Sequence, residues 1–409
     1  MHQFVWFFCF LAAFCKADFN VKVYGAKGDG HTKDTDAVRK AFEACGRAGG
    51  GTVLFPQPGI YLTGAFNISS NTTMMIEENA TVLGSVDSKD YPLIQPLPWY
   101  GGGSDYQGSG DLIYQSLVHS WGASFIRITG SGIIDGQGSP WWNCWRHDRK
   151  ASPCNGISRP HLINLIGGDN VQISDITIRN SPSWTLHLSN LSNVHVVNIT
   201  IKNPSDAPNA DGVDVDCSRD VLVEASTLDV GDDALCVKSG KDWFGRTFGY
   251  PSTNVTFRNN VVYHGHGVTI GSETSAGVRD VTFENIVMEG TANGIRMKSE
   301  RGRGGLVRGV VYRNVSMKGV GTCVFVTLNY HSDLPKTNAT ATPRFDDILV
   351  EGLVAKDCGV GFSLDGLPES VIEGLKFVNV DVKAKKMMEK CDHVDGSCTH
   401  CSYCPPCIH

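Results

Sequence analysis

Three short segments of the sequence carry acidic or imidazole side chains at one repeated offset from an apolar run. Asp211, Asp233 and His266 each lie two residues before the first apolar residue of a run in which apolar and polar residues alternate. Strict alternation is typical of a half-buried strand, and the repeated offset indicates equivalent places in successive structural repeats. If these strands are parallel neighbours about 4.8 Å apart, the sequence predicts a column of three carboxylates, with Asp232 included, and one imidazole.

Paired carboxyl groups suit the hydrolysis of a glycosidic bond, because one group can donate a proton while another activates water. Close like charges raise the pKa of one carboxyl group, which lets it hold that proton. Arg296 and Lys298 alternate around Met297 on the next run, so they share a face. A guanidinium beside an ammonium suits a carboxylated sugar. We therefore expect a glycosidase that uses neither a cofactor nor a metal.

A repeat extends over most of the chain from about residue 125 onward. Short segments that begin with Asn, Asp or Gly and continue with alternating apolar residues recur at intervals of roughly 25 residues, which is typical of a solenoid. Three short strands per turn at this period predict a right-handed parallel β-helix. The leucine-rich repeat has a similar period, but its Leu pattern is missing and we expect no helices between the repeats. The repeats begin at Asn170, Asn193, Asp220, Asn254, Asp280, Gly309, Asp347 and Gly374.

The first segment after residue 18 reads as strand, glycine-rich turn, helix and strand. A helix from about Asp36 to Cys45 would place Ala37, Val38, Ala41, Phe42 and Cys45 on one face. The turn lacks the spacing of a dinucleotide-binding loop, so we interpret the helix as a cap over the open end of the strand stack. The predicted fold is an all-β, single-stranded right-handed parallel β-helix with an N-terminal capping helix. We expect it to span residues 18–385, with a Cys-rich tail over 386–409.

Residues 1–17 resemble a secretory signal peptide, since an apolar run too short to span a membrane ends near the small residue Ala17. Removing them leaves twelve of the 14 cysteines, an even number that suits an oxidising compartment. We therefore expect a secreted, disulfide-bonded glycoprotein of the cell wall. Acceptor triplets for N-glycosylation begin at Asn67, Asn71, Asn79, Asn190, Asn198, Asn254, Asn314 and Asn338.

The cysteines and long insertions leave several alternatives open. Residues 136–160 hold three tryptophans, Cys144 and Cys154, which favours an aromatic cover with a short disulfide over a sugar-binding platform. Cys217 and Cys236 lie near equivalent points of adjacent coils, so we expect them to pair across one strand spacing. The tail from residue 391 has five cysteines, for which disulfides are favoured over a zinc site. Because five is odd, one must pair elsewhere or stay free.

The formal net charge of −6 over 409 residues argues against a nucleic-acid partner. No later apolar run is long enough to cross a bilayer. The basic residues Arg296, Lys298, Arg301, Arg303 and Arg308 crowd one segment next to the acidic column, so the local charge suits an acidic polysaccharide. We expect a monomer that acts on such a polymer.

Four motifs together resemble those of the polygalacturonases, glycoside hydrolase family 28. Their order and approximate spacing agree, and the similarity covers roughly residues 20–385, including the segment Asp135–Trp142. The resemblance implies a right-handed β-helix and an inverting hydrolase that acts on α-1,4-linked galacturonate in pectin. The motifs are Asn209-Ala-Asp211, Gly231-Asp232-Asp233, Gly265-His266-Gly267 and Arg296-Met-Lys298.

The resemblance also implies a role for each polar residue of these motifs. Asp232 would be the general acid, Asp211 and Asp233 would activate water, and His266 would support protonation of the acid. Arg296 and Lys298 would bind the substrate carboxylate. Two further residues, Asn209 and Tyr330, would line the cleft. The stretch from Gly271 to Val281 is more similar to exo-acting and plant-type members than to endo-acting fungal ones, and both modes of attack stay open.

Three competing interpretations remain at this point. A pectate lyase on a similar helix would need calcium held by carboxylates and a basic residue that abstracts a proton. A catalytically silent carbohydrate-binding solenoid would not need the intact acidic column. A hydrolase of the same family could act on rhamnogalacturonan or xylogalacturonan instead, although Arg296 and Lys298 favour a uronic acid near the cleaved bond.

Overall fold

The strands of the chain coil around three faces, and each strand pairs in parallel with the equivalent strand of the next turn. The structure, a computed structural model, describes residues 18–101, 112–330 and 341–408. The expected signal segment 1–17 and the triplet at Asn338 lie outside these residues. The coil is a right-handed β-helix, as the sequence predicts.

Three sets of parallel strands form the faces, which we call A, B and C. Face A, which carries the acidic residues, contains Phe66–Asn67, Val118–Trp121, Val213–Asp216, Leu235–Lys238, Val268–Gly271, Asn293–Lys298 and Thr322–Thr327. Face B contains Asp18–Asn20, Gly51–Phe55, Thr72–Ile76, Ile126–Thr129, Arg219–Glu224, Ser252–Arg258, Arg344–Glu351, Ile372–Val378 and Val394–Thr399. Face C contains Asp29–Lys33, Gly59–Thr63, Ala80–Gly84, Ile133–Asp135, Thr177–Arg179, Thr200–Lys202, Thr227–Asp229 and Val261–Tyr263.

Six longer strands turn a corner and serve two faces each. Two join faces A and B, two join B and C, and two join C and A. In that order they are Ile163–Ser174, Leu186–Val197, Val278–Glu289, Leu306–Lys318, Val354–Asp365 and Asp381–Asp392. A separate antiparallel pair, Leu93–Ile94 with Ile113–Tyr114, lies outside the coil.

The segments that open each sequence repeat lie at one corner of the coil, and the backbone there is left-handed. Asn170, Asn193, Asp220, Asn254 and Asp280 have φ between 53° and 56°. Asn and Asp tolerate this region better than other residues with a side chain, which explains why they recur at this point. Their side chains also link turns, since Asn254 Nδ2 donates to Asp220 Oδ1 over 2.6 Å.

Apolar side chains of all three faces point into the coil and stack along its axis. The rings of Phe257, Phe283 and Tyr312 lie in three successive turns, with centroids 4.8 and 4.9 Å apart and nearly parallel planes. These three side chains are completely buried. Burial of large apolar groups in such columns is the main favourable contribution to the stability of the coil.

A helix closes the N-terminal end of the stack. Helix α1, Thr35–Arg47, begins one residue earlier and ends two residues later than the sequence predicts. All five residues of the predicted apolar face are buried, and Phe42 stacks on Phe66 with centroids 4.8 Å apart. The capping role expected of this helix is therefore confirmed.

Two short helices, α2 (Ser139–His147) and α3 (Asp242–Phe248), interrupt the coil between strands. The expectation of no helices between the repeats was wrong here, because each helix lies inside an insertion that the repeat pattern does not cover. Trp141 in α2 is buried, with its ring edge-on to Tyr91 and Tyr114. This packing supports the interpretation of the segment as a cover.

The C-terminal boundary differs from the expected one at residue 386. Strand Asp381–Asp392 runs through that position, and Val394–Thr399 pairs in parallel with Ile372–Val378. The solenoid thus continues to Thr399. The sequence did not indicate these strands, because charged residues on their outer side obscure the alternating pattern. Residues 400–408 then fold back, and Ile408 is buried against the last coil.

Four disulfides lie within the described residues: Cys144–Cys154, Cys323–Cys358, Cys391–Cys407 and Cys398–Cys404. The short disulfide and the disulfide-bonded tail are as expected, and Cys401 is the free cysteine of the tail. The predicted pair of Cys217 and Cys236 is wrong, since both are free and buried. Register explains this: Cys236 lies opposite Asp214, three positions before Cys217.

No helix in the described parts of the chain is both long and apolar enough to cross a membrane.

Replacing Phe283 by Ala should open a cavity in the middle of the ring column. We expect the free energy of unfolding to fall by about 3–5 kcal/mol, which is typical of a buried Phe truncation. Thermal or denaturant unfolding followed by circular dichroism measures this loss. Tyr263→Ala is the matched control, because Tyr263 is 38% exposed and its loss should change stability little. Equal effects of the two substitutions would contradict the column's role.

Candidate active site

The strand register of face A brings the predicted acidic column together. The first apolar residues of the three runs pair directly across neighbouring strands. Asp211, Asp233 and His266, each two residues earlier, therefore occupy equivalent places in three successive turns. Carboxylate oxygens of Asp232 and Asp233 and a ring nitrogen of His266 all lie within 4.8 Å of one another.

Asp233 is enclosed by donors from two later turns. Its Oδ1 accepts hydrogen bonds from Arg296 Nη1 at 2.7 Å and from Thr269 Oγ1 at 2.9 Å, and its Oδ2 accepts one from Lys298 Nζ at 2.8 Å. Burial acts to raise the pKa of Asp233, but the charges of Lys298 and Arg296 outweigh it and hold that pKa well below its ordinary range. Asp233 is thus a permanent carboxylate.

Asp232 is more accessible than its neighbours, since its side chain is 20% exposed while those of Asp211 and Asp233 are 3% and 1% exposed. Its Oδ1 lies 2.7 Å from His266 Nδ1. Burial and the charge of Asp233 raise the pKa of Asp232, but the hydrogen bond from His266 and the charges of His266 and Lys298 together outweigh them and leave this pKa below its ordinary value. The neighbouring carboxylates therefore do not produce the net elevation that was expected.

Two glycines with left-handed backbone hold His266 in this position. Gly265 has φ 74° and Gly267 has φ 79°. A Cβ atom at Gly265 would lie 2.4 Å from the carbonyl oxygen of Asp232, and one at Gly267 would lie 2.2 Å from that of Gly294. The motif Gly-His-Gly is thus required by the close approach of the neighbouring turns as well as by the backbone conformation.

Asp211 has a different environment from the other two acids. It is 2% exposed, and its Oδ1 has no hydrogen-bond partner among the residues that the structure describes. Burial, followed by the charges of Asp214 and Asp232, raises the pKa of Asp211 well above its ordinary value. The structure therefore separates the three carboxyl groups: Asp211 readily holds a proton, whereas Asp233 does not.

The predicted binding residues cluster beside Asp233. Arg296 Nη2 donates to the hydroxyl oxygen of Tyr330 over 3.0 Å, and the cations of Arg296 and Lys298 lie 5.4 and 5.1 Å from the centroid of the Tyr330 ring. Asn209 is exposed, and its Oδ1 accepts a hydrogen bond of 2.6 Å from Arg159 Nη2, whose charge acts on Asp211 and Asp232. The eight sequence-predicted residues thus lie in or beside the strands of face A.

Three further residues touch this region without having been singled out. Thr269 could have been found, because it has the same register as Arg296 on the adjacent strand. Lys238 could also have been found, since it alternates with Cys236 as Lys298 does with Arg296. Arg159 lies 50 residues before Asn209 in the chain, within an irregular insertion. No local pattern of the sequence predicts the contact between Arg159 and Asn209.

The oxygen and nitrogen atoms of Asp232, Asp233 and His266 are close enough to hold a cation. The ammonium of Lys298 and the guanidinium of Arg296 already face Asp233 at 2.8 and 2.7 Å. A further cation there would meet strong repulsion at this distance, so the donor set fits an acid–base site better than a metal site.

The sequence matches a known enzyme family over most of its length. Residues 105–402 match the Glycosyl hydrolases family 28. A Vitis vinifera protein described as "Probable polygalacturonase" is 34% identical over 383 residues, which cover 91% of this chain and 76% of that protein. A Dickeya chrysanthemi protein named "Exo-poly-alpha-D-galacturonosidase" is 31% identical over 83% of this chain, and the match spans 62% of the length of that protein.

The fold has close counterparts among solved structures. The exopolygalacturonase of Thermotoga maritima superimposes with a TM-score of 0.82 and 24% identity, covering 94% of this chain and 91% of that one. At this identity the likeness establishes the shared coil rather than a shared substrate.

The opposite environments of two acids lead to opposite effects of neutral substitution. The pKa of Asp211 in the folded protein lies above its unfolded value, so its ionisation costs stability as the pH rises above about 4. Asp211→Asn should therefore raise the melting temperature at pH 7.5 and change it much less at pH 4. Thermal unfolding at the two pH values measures the difference.

Asp233→Asn is the paired comparison. The folded pKa of Asp233 lies below its unfolded value, so its contribution to stability is present above about pH 4 and is lost as the pH falls. Breaking its contacts with two buried cations should cost about 3–5 kcal/mol at pH 7.5. A stabilising Asp233→Asn or a destabilising Asp211→Asn would contradict the electrostatic assignment.

Proposed function

The chain belongs to family 28 of the glycosyl hydrolases, and we propose that it is a polygalacturonase that hydrolyses the α-1,4-galacturonosidic bonds of pectin. The observation that carries this proposal is the pair of cations, Arg296 and Lys298, directly beside a column of carboxyl groups. A carboxylated sugar can bind to such cations while its glycosidic oxygen lies over the acids. A neutral polysaccharide could accept hydrogen bonds from them but would gain no attraction between opposite charges.

Asp232 is the general acid in this proposal. A proton donor must reach the glycosidic oxygen, and among the three acids Asp232 is the one whose side chain is substantially exposed. His266, at 2.7 Å, orients that carboxyl group and can replenish its proton from solvent, because its own side chain is 34% exposed. Asp211 and Asp233, which are buried at the base of the cleft, activate the attacking water.

The reaction is assigned as inverting. A water molecule placed between the acid and the base attacks the anomeric carbon from the face opposite to the leaving group, so one displacement reverses the configuration. Inversion needs about 6.5–9.5 Å between the acid and the base, a range that lies between one and two strand spacings of about 4.8 Å. The permanent charge of Asp233 also stabilises the positive charge that develops on the sugar ring.

Substrate binding must change the protonation of this site. In this structure the pKa of Asp232 is lowered and that of Asp211 is raised, which is the reverse of what an acid and a base need. A galacturonate carboxylate on Arg296 and Lys298 would cancel much of their positive charge. The bound substrate should therefore raise the pKa of Asp232 and prepare it to donate its proton.

We further propose that the protein is secreted to the cell wall. Four disulfides in the described part of the chain suit an oxidising compartment. The acceptor asparagines Asn67, Asn71 and Asn79 are exposed, as glycan attachment requires. Pectin lies outside the cell, so this location also fits the proposed substrate.

Asp232→Asn should lower kcat on polygalacturonic acid by about 10²–10⁴-fold, because the amide cannot donate the proton. The release of reducing ends measures the rate, and proton NMR of the first product should show the inverted anomer. Asp229→Asn, a half-buried substitution on face C, is the matched control and should retain activity.

The same assays separate the competing reactions. Products that absorb in the ultraviolet, or activity lost to a chelator, would indicate a lyase and overturn the proposal. Faster release from rhamnogalacturonan or xylogalacturonan than from polygalacturonic acid would redirect it to those polymers. Sizing of early products assigns the mode of attack, since monomer alone means exo and a ladder of oligomers means endo.

The change in protonation predicts a difference between two pH profiles. Because Asp232 has the lower pKa of the two reacting acids in the free enzyme, the acidic limb of kcat/KM reports Asp232 there, whereas the acidic limb of kcat reports the complex with substrate. We expect the acidic limb of kcat to lie at higher pH than that of kcat/KM. Superimposable acidic limbs would show that substrate binding does not raise the pKa of Asp232.

Lys298→Met tests the role of the cations in the same experiment. Loss of a charge-assisted hydrogen bond worth about 1.5–3 kcal/mol should raise KM for polygalacturonic acid by roughly 10-fold or more. It should also bring the two acidic limbs closer together, because less positive charge remains for the substrate to cancel. An unchanged KM would refute the assignment of Lys298 to the substrate carboxylate.

A further inference from the structure

A second lysine on face A is absent from the proposed mechanism although it lies beside one of its acids. Lys238 ends strand Leu235–Lys238, and its side chain is 4% exposed. Counting along the register, it lies two strands before Lys298 in the same outward-facing row, with Gly271 between them. A buried ammonium is expensive unless it is paired, so its partners indicate why it is there.

Three carboxylates surround the ammonium of Lys238. Its Nζ lies 3.7 Å from Asp211 Oδ2, 3.5 Å from Asp214 Oδ1 and 3.4 Å from Glu273 Oε2. The same atom lies 4.4 Å from the centroid of the Trp184 ring, which adds a favourable cation–π contact. These partners come from neighbouring turns, so Lys238 links them across the base of the cleft.

The geometry gives Lys238 a particular importance for Asp211. Oδ1 of Asp211 and both carboxylate oxygens of Asp214 have no hydrogen-bond partner among the described residues. The charged groups that act on Asp211 are Asp214, Asp232 and Asp233, which oppose its ionisation, and Lys238 and Arg159, which favour it. Without Lys238, three carboxylates would face Asp211 with only the longer-range charge of Arg159 against them.

We propose that Lys238 is a positioning residue of the catalytic site, which holds the carboxyl group of Asp211 and, together with Asp214, sets the pH range over which Asp211 ionises. This inference rests on the proposed function, in which Asp211 helps to activate water. In the proposed mechanism Lys238 does not contact the substrate and acts only through Asp211.

The sign of two substitutions follows directly. Lys238→Met removes a positive charge from beside Asp211, so Asp211 should ionise at higher pH, by about 1–3 pH units. Asp214→Asn removes a negative charge from the same place, so Asp211 should ionise at lower pH. A residue that only fills space in the core would not produce opposite shifts.

The experiment is the pH dependence of kcat/KM on polygalacturonic acid for the full-length protein. The pKa of Asp211 is raised whereas those of Asp232 and Asp233 are lowered, so Asp211 is the last of the three acids to ionise and the alkaline limb reports it. We expect that limb to move to higher pH in Lys238→Met, to lower pH in Asp214→Asn, and back towards the wild-type position in Lys238→Arg. Lys241→Met is the matched control, since Lys241 is also buried but lies three residues further along the chain.

Asp214→Asn keeps the inference testable if Lys238→Met fails to fold, because it removes a buried charge rather than exposing one. The double variant Lys238→Met with Asp214→Asn removes one charge of each sign and should restore much of the wild-type limb. A folded Lys238→Met or Asp214→Asn with an unmoved alkaline limb overturns the role of Lys238. Wild-type protein that is inactive on every pectic polymer would overturn the proposed function instead.

Discussion

The in-register pairing of parallel strands is the constraint on which the whole molecule depends. Each turn contributes the same three short strands, and a repeated left-handed residue at the corner keeps the turns equal. Asn and Asp at that corner satisfy the backbone and bond to the turn before, as Asn254 does with Asp220. Because the turns are in register, side chains about one repeat apart in the chain become neighbours about 4.8 Å apart. The acidic column is one consequence of this stacking, and the ring column of Phe257, Phe283 and Tyr312 is another.

Stacking also places many charged side chains of the site close to one another. Asp233 is balanced by Arg296 and Lys298 at hydrogen-bonding distance, whereas Asp211 shares a single more distant ammonium with two other carboxylates. Two acids that are equivalent by position are thus opposite in their affinity for a proton. Sites that carry out acid–base catalysis need this kind of separation, and here it arises from which residues occupy the following turns. The residues that follow in the next turns of face A therefore determine the proton affinity of each acid as much as the acidic column itself does.

The sequence predicted the parts of the molecule that repeat. The period and the alternation identify the coil, and the fixed offset of Asp211, Asp233 and His266 places these three residues together. The sequence did not predict what depends on insertions or on exact register. Cys217 and Cys236 looked equivalent but are three positions out of step, and the contact between Arg159 and Asn209 crosses an irregular segment. The lowered pKa of Asp232 was not predicted either. It depends on His266, whose Nδ1 is 2.7 Å away, and on Lys298, and not only on the number of nearby acids.

The two ends of the coil are treated differently from its middle. At the N-terminus α1 covers the first turn, while at the C-terminus residues 400–408 fold back under the last turn, joined to it by Cys391–Cys407 and Cys398–Cys404. A bare final turn would present unpaired backbone donors and acceptors, ready to recruit a strand from another molecule. Ile408 of this tail is buried against the core, and the two disulfides hold the tail at the end of the stack. A tail fixed in this way disfavours the growth of the coil end to end into filaments.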